Sequence, residues 1–265
     1  MPGPPPTLDV VNTVMLGWPL AVLLVLVTAL AGAVTWLAGL GPWRNPLTAA
    51  GRAVLQLAAV STIIGAVLHS LGWTLLFLAG MVVVAGATSA RRLAGRRRSG
   101  RDAAWTLVPI AGGVVPTMAL VLLSTAVPAE PIAILPTAGI LIGGAMTATT
   151  LAGRRMGEEL TSQRGAYEAA LSLGLTRRSG AVLVAREAAA LALVPGLDQT
   201  RTVGLVTLPG AFVGVLLAGA SPWQAAAAQL LVLISLLLVQ AIAVSVTIEL
   251  VGAGRLVVTE TALPA

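Results

Sequence analysis

The chain alternates long uncharged, apolar runs with short polar interruptions. A helix of about 20 apolar residues crosses a hydrocarbon layer about 30 Å thick, and each longer run has roughly that length. The pattern predicts an all-α polytopic integral membrane protein with about seven transmembrane helices. The predicted spans are 14–38, 47–68, 73–90, 103–127, 132–151, 203–218 and 223–248. They form one domain, 13–251, between a Pro-rich disordered tail, 1–12, and a second tail, 252–265.

The longest polar interval, 152–202, separates the fifth and sixth predicted spans. Within it, 181–195 is helical in pattern and mostly apolar, but Arg186 and Glu187 interrupt it. We interpret this stretch as lying at the membrane interface or entering the next span, without crossing by itself. A separate crossing there would move the carboxyl terminus to the other side of the membrane.

Composition strengthens the membrane interpretation and gives it a direction. The 265 residues are 57% hydrophobic and only 10% charged, whereas soluble domains carry about 25% charged residues. All 16 basic residues are arginine, and basic residues mark the cytoplasmic ends of spans. With the amino terminus outside, seven crossings place every arginine in the cytoplasm. We therefore expect a multi-pass protein of the bacterial inner (plasma) membrane, with a cytoplasmic carboxyl terminus.

The basic charge has a simpler explanation than nucleic-acid binding. Six arginines fall in 91–102, between two apolar runs, which is typical of a positive cytoplasmic loop touching lipid headgroups. We expect membrane lipids as partners, and no nucleic acid.

Several kinds of catalytic site are excluded by missing residue types. The chain has no cysteine and one histidine, His69, so thiolate sites and multi-histidine metal sites are excluded. A phosphate-binding Walker A loop requires a lysine, and the chain has none. We predict no enzyme activity and no bound cofactor, so any ATP-Mg would be held by another polypeptide. The metal ligands, if any, stay unknown.

A short motif in the polar interval points to such a polypeptide. Glu168-Ala169-Ala170-x-x-x-Gly174 resembles the EAA-x-x-x-G signature of permease subunits of ATP-binding-cassette (ABC) transporters. With Tyr167 and Leu171, these residues predict a short cytoplasmic coupling helix that docks on an ATPase. Tyr167, Ala170, Leu171 and Gly174 share one helix face, the small Ala169 and Ala170 permit close approach, and Gly174 ends the helix.

The resemblance extends well beyond this motif. The stretches 52–65, 139–151 and nearly all of 164–232, including 195–210, are similar to the FetB-type permease family, which includes bacterial iron exporters and plant aluminium-sensitivity permeases. The resemblance implies a seven-span permease that works with a separate cytoplasmic ABC ATPase, paired with a second copy. It also implies metal-ion export, with iron as the leading substrate.

Polar residues near or within the spans are candidates for a translocation path or gate. Asp198 and Arg201, three apart, either pair structurally at the interface or act as a switch. Gln229 and Gln240 share a face of the last span and serve either helix packing or a pore lining. The full candidate set is Gln56, Gly143, Met146, Thr147, Asp198, Arg201, Gln229 and Gln240.

Two other functions fit the same sequence. An ATP-independent secondary transporter or channel would work in cells that lack any ATPase partner. A non-transporting membrane scaffold would bind an ATPase without moving a substrate.

Overall fold

The computed structural model describes residues 17–94, 100–256 and 258. The predicted tail 1–12 and three of the loop arginines, Arg96 to Arg98, lie outside the described residues. The helices are α1 (Trp18–Leu37), α2 (Arg44–Leu68), α3 (Leu71–Ala94), α4 (Gly100–Leu123), α5 (Pro131–Ser162), α6 (Arg164–Ser172), α7 (Arg177–Ala190), α8 (Val194–Thr202), α9 (Gly210–Leu217) and α10 (Pro222–Gly252). A 3-10 turn, Leu191–Leu193, joins α7 to α8.

The chain forms two compact units, 1–66 and 67–265. In the first unit, α1 and the start of α2 form a hairpin. Gly32 permits this pairing, because a Cβ there would lie 2.9 Å from Leu47 Cδ1 and 3.0 Å from the Trp43 carbonyl oxygen. Most side chains of α1 and α2 are exposed, as expected of helices that face lipid or a partner.

The second unit is a helical bundle in which α10 packs against α4, α5 and α7, and α3 packs against α4 and α5. Glycines stand where helices approach most closely. A Cβ on Gly113 of α4 would lie 2.8 Å from the Val239 carbonyl oxygen of α10. A Cβ on Gly153 of α5 would lie 2.8 Å from Leu93 Cδ2 of α3. Small residues at crossings bring backbones into van der Waals contact, which stabilises helix pairs in membranes.

Buried hydroxyl groups add hydrogen bonds between these helices. Thr106 Oγ1 donates to the Gly86 carbonyl oxygen at 2.8 Å, and Thr150 Oγ1 lies 3.1 Å from Ser89 Oγ. Ser89 Oγ donates in turn to the Met146 carbonyl oxygen at 3.3 Å. Such bonds contribute on average about 0.6 kcal/mol each in a membrane protein.

The described residues contain seven helical segments that are long and apolar enough to cross a membrane. The all-α, multi-pass architecture is therefore confirmed. These segments are Trp18–Leu37, Arg44–Leu68, Leu71–Ala94, Ala104–Leu123, Pro131–Ser162, Arg177–Thr202 and Pro222–Gly252.

The sixth segment differs from the predicted one. The stretch 203–218 contains only the eight-residue helix α9, about 12 Å long and too short to cross. The long apolar segment is Arg177–Thr202 instead, and most of the predicted loop 152–202 is helical. Arg186 and Glu187 did not end the helix, because both side chains lie on its exposed side.

Candidate functional site

Helix α6 is a short element set between α5 and α7. Gln163 alone separates it from α5. Gly174 ends it with a left-handed φ of 89°, which permits the Gly174 amide to donate to the Leu171 carbonyl at 2.9 Å and the Leu175 amide to the Ala170 carbonyl at 3.2 Å. This glycine cap satisfies the last carbonyl groups of α6 and turns the chain sharply into α7.

One face of α6 is buried against α7. Tyr167 is 2% exposed and Ala170 is 6% exposed. The Tyr167 ring packs on Gly180, where a Cβ would lie 3.4 Å from Tyr167 Cε2. The expectation that Ala170 leaves room for a partner was therefore wrong: Tyr167 and Ala170 attach α6 to the bundle.

The opposite face of α6 is open. Glu168, Ala169 and Ser172 are exposed, and Leu173 is 83% exposed. Sequence reasoning missed Leu173, whose signal is an apolar residue directly before the helix-ending glycine. Glu168 pairs with Arg164 at 2.8 Å, but both side chains are more than half exposed, so the pair is open to another protein.

Helix α7 connects α6 to the end of α10. Thr176 caps α7 by accepting a hydrogen bond from the Ser179 amide at 3.2 Å. Arg178 pairs with Glu249 of α10 at 2.5 Å. The two side chains border a groove of about 410 Å³ that Arg186 and Glu187 also line. The start of α7 therefore lies level with the carboxyl end of α10.

From that end, α7 and α8 run back along α10. Gly196 of α8 lies against Gln240, because a Cβ at this glycine would overlap the Gln240 amide oxygen. Gln240 also borders Gly144 of α5. It is 8% exposed, and its amide oxygen has no hydrogen-bond partner among the described residues.

The helical path then breaks at residues 203–209, which we call the break. Val203 is extended, with ψ of 135°, and Gly204 has a φ of 82°. The Thr202 carbonyl accepts from the amides of Leu205, at 3.2 Å, and Val206, at 2.9 Å. Helix α9 begins after Pro209, so the chain from α7 to α9 is two helical parts, Arg177–Thr202 and α9, joined by a tight, non-helical turn.

A cavity of about 840 Å³ lies beside the second part, between α5, α9 and α10. Its walls include Ile140, Gly214 and Leu231, and Thr137 and Gln224 are among its few polar side chains. The cavity is therefore largely apolar, and it shows that α9 runs beside the first third of α10.

The predicted path residues occupy three different settings. Gln56 is exposed in the first unit, and Gly143, Met146 and Thr147 are exposed or half-buried on α5. Asp198 and Arg201 pair with each other at 3.4 Å on the exposed side of α8.

Gln229 and Gln240 are both buried on α10, and the amide oxygens of both have no hydrogen-bond partner among the described residues. Within this set the fold joins Asp198 to Arg201, and it leaves Gln56 in a separate unit.

The part of the chain that the structure describes has no group of three or more His, Cys, Asp or Glu side chains placed to hold a metal ion.

Comparison with known proteins identifies the family. The sequence pattern of the uncharacterised protein family UPF0014 matches residues 18–254. The UPF0014 membrane protein STAR2 of Oryza sativa subsp. japonica is 37% identical over 209 residues, which cover 78% of this chain and 72% of that protein. The protein ALUMINUM SENSITIVE 3 of Arabidopsis thaliana is 34% identical over 69% of this chain and 66% of its own length.

One bacterial relative is named as a transport protein. The probable iron export permease protein FetB of Escherichia coli (strain K12) is 33% identical over 132 residues, covering 50% of this chain and 51% of that protein. No solved structure matches the chain. The family match covers most of the chain, and the described helices include seven segments able to cross a membrane. The chain therefore belongs to the UPF0014 family, that of the FetB-type permeases, and is a multi-pass membrane permease component.

Proposed function

We propose that this chain is the membrane subunit of an ABC transporter that is driven by a separate cytoplasmic ATPase. The observation that carries the proposal is the two-sided character of α6. Tyr167 and Ala170 fix one face to α7, while Glu168, Ala169 and Leu173 stand open on the other. A helix attached firmly on one side and bare on the other is suited to transmit a partner's motion.

The arginine distribution supports a direction for this docking. Arg154, Arg164 and Arg178 lie near the end of the bundle that carries α6. By the positive-inside rule this end faces the cytoplasm, where an ATPase has access to ATP. The proposal therefore places the carboxyl terminus in the cytoplasm and the amino terminus outside. The partner would hold ATP-Mg, and this chain would bind no cofactor.

The fold offers a route from α6 to the break. The Tyr167 ring couples α6 to α7, and α7 continues through a 3-10 turn into α8. Helix α8 meets Gln240 of α10 and ends at the break. A displacement of α6 would therefore move α7 and α8 as a lever, and the break would absorb the change. Such a lever fits alternating access, in which packed elements switch between two arrangements.

For the substrate we propose a metal ion moved outward, with iron the first to test, because FetB is named a probable iron export permease. Transition metals favour imidazole, thiolate and carboxylate ligands. The described residues offer no group of three such side chains, so the ion would be held weakly or within a chelate. The test is cellular iron content with and without the permease and its ATPase. Unchanged content of iron and other metals would remove the metal-export assignment.

Co-purification tests the docking. Glu168→Arg and, separately, Leu173→Arg are expected to reduce recovery of a co-expressed ATPase with this chain at least tenfold. The first change places a like charge beside Arg164, and the second places a charge on the open apolar side chain. The matched control is Glu158→Arg on α5, since Glu158 is 50% exposed and pairs with Arg155 at 3.4 Å, much as Glu168 pairs with Arg164.

The outcomes separate the proposal from its rivals. Retained recovery in both α6 variants would overturn the docking role of this face, as would equal loss in the Glu158→Arg control. Transport by the chain in cells without any ATPase partner would favour a secondary transporter or channel. Stable ATPase binding without movement of any substrate would favour a scaffold.

A further inference from the structure

The two ends of the second unit's helices indicate how deep each residue lies in the membrane. At one end lie the starts of α3, α5 and α10 at Leu71, Pro131 and Pro222. At the other end, Arg154 Nη2 donates to the Arg92 carbonyl oxygen at 3.2 Å. Along either helix these arginines lie about 32–35 Å from its start, at about 1.5 Å per residue. The interval matches the thickness of a bilayer's hydrocarbon layer.

Two contacts bracket the break within that interval. Gln240, which Gly196 touches, lies about 27 Å along α10 from Pro222. Leu231, which lines a cavity together with Gly214 of α9, lies about 14 Å along α10. The chain between Gly196 and Gly214 therefore passes the middle of the hydrocarbon layer, and it includes the break.

The surface of this stretch does not suit lipid. The Asp198 and Arg201 side chains are 58% and 71% exposed, and an ion pair at this depth normally faces protein or a water-filled space. Backbone that is not helical is tolerated at this depth only when it is covered by protein or lines such a space. Leu205 and Val206, at the tip of the break, are 90% and 78% exposed, and their apolar character favours a protein cover.

The start of α9 is also open. Gly210 is exposed, and a Cβ added there would have no described atom within 4 Å. Gly139 of α5 differs, since a Cβ there would lie 3.6 Å from Met81 Cε in the same chain. Gly214, one turn further along α9, lines the chain's own cavity beside α5 and α10, so the open surface ends at Gly210.

We infer that a second copy of this chain covers this surface, formed by Asp198, Arg201, the break and Gly210. One acid and one base three residues apart make the patch self-complementary. A two-fold axis would set Asp198 of each copy near Arg201 of the other, as an isologous interface requires. The tip residues Leu205 and Val206 then lie nearest the axis. This inference rests on the proposed function, because the resemblance to ABC permeases implies a second copy of the membrane subunit, and it adds the face that the two copies share.

Disulfide cross-linking tests the face directly, because the natural chain has no cysteine. Leu205→Cys in native membranes, treated with a mild oxidant, should convert most of the chain to a covalent dimer. Val206→Cys serves if the first variant folds poorly. The control is Val115→Cys on α4. Val115 is 63% exposed. It lies two residues from Gly113, which contacts Val239 of α10, so its depth in the membrane is similar to that of the break. It should stay monomeric.

Each outcome decides the inference without involving an ATPase. Covalent dimer from a break cysteine alone supports the face. A monomeric mass for the purified chain in mild detergent overturns it, as does a dimeric mass with no cross-link at either break position. Equal cross-linking of Val115→Cys overturns it as well, since random collision then explains the product. Failure of ATPase co-purification leaves this result untouched, so the two proposals fail separately.

Discussion

Gly113→Ala is expected to destabilise the folded protein by about 1–3 kcal/mol, the usual cost of forcing a methyl group into a packed core. The added Cβ would lie 2.8 Å from the Val239 carbonyl oxygen and 3.2 Å from Val239 Cγ1. A backbone carbonyl in the middle of α10 moves only with its helix, so α4 and α10 must separate. The measurement is tryptophan fluorescence during unfolding of the purified chain by denaturing detergent.

The adjacent residue supplies the control for this prediction. A Cβ on Gly112 has no atom within 4 Å, and the residue is exposed. Gly112→Ala makes the same chemical change and should be neutral or stabilising by up to about 1 kcal/mol, since alanine favours a helix over glycine. Equal effects of the two substitutions would contradict the close α4–α10 contact.

Tyr167→Ala is expected to uncouple the transporter. Removing a buried aromatic side chain costs about 3–5 kcal/mol, and this loss falls on the contact between α6 and α7. The docking face of α6 stays intact, so the ATPase should still bind, while permease-dependent ATP hydrolysis falls at least tenfold. Both quantities are measured on the purified complex.

A conservative variant, Tyr167→Phe, separates the packing of the ring from any role of the hydroxyl group. Tyr167→Phe keeps the ring carbons that pack near Gly180 and should retain near-normal ATP hydrolysis. A Tyr167→Ala complex that binds and hydrolyses ATP normally would show that α6 transmits motion by another route.

The apolar runs alone predicted most of the fold. Six of the seven candidate segments correspond to predicted spans, because a continuous apolar run of sufficient length has few alternatives to a membrane helix. The predicted sixth span, 203–218, differs from the candidate segment Arg177–Thr202. The stretch 203–218 is apolar and uncharged, but Gly204 and Pro209 stop a helix from continuing through it. Their charge also suggested that Arg186 and Glu187 interrupt the apolar helix. Both residues instead occupy exposed positions on α7, which continues through them.

The candidate site was only partly predictable. The EAA-like motif located α6, but helix periodicity did not say which of its faces is buried. The Tyr167 face is the buried one because the Tyr167 ring packs on Gly180, which lies 13 residues further along the chain. The slot that Gly196 leaves for Gln240 likewise depends on the path of α8 along α10. No local sequence pattern encodes a contact between residues so far apart in the chain.

The central claim is that this permease works only through a separate ATPase docked on α6, and ATP hydrolysis tests it without knowledge of the cargo. The purified ATPase would be assayed alone, with this chain in proteoliposomes, and with its Leu173→Arg variant. The proposal predicts that the wild-type chain changes the hydrolysis rate several-fold and that the variant leaves it at the rate of the ATPase alone. An equal change by both chains, with folding confirmed, would contradict docking through the exposed face of α6.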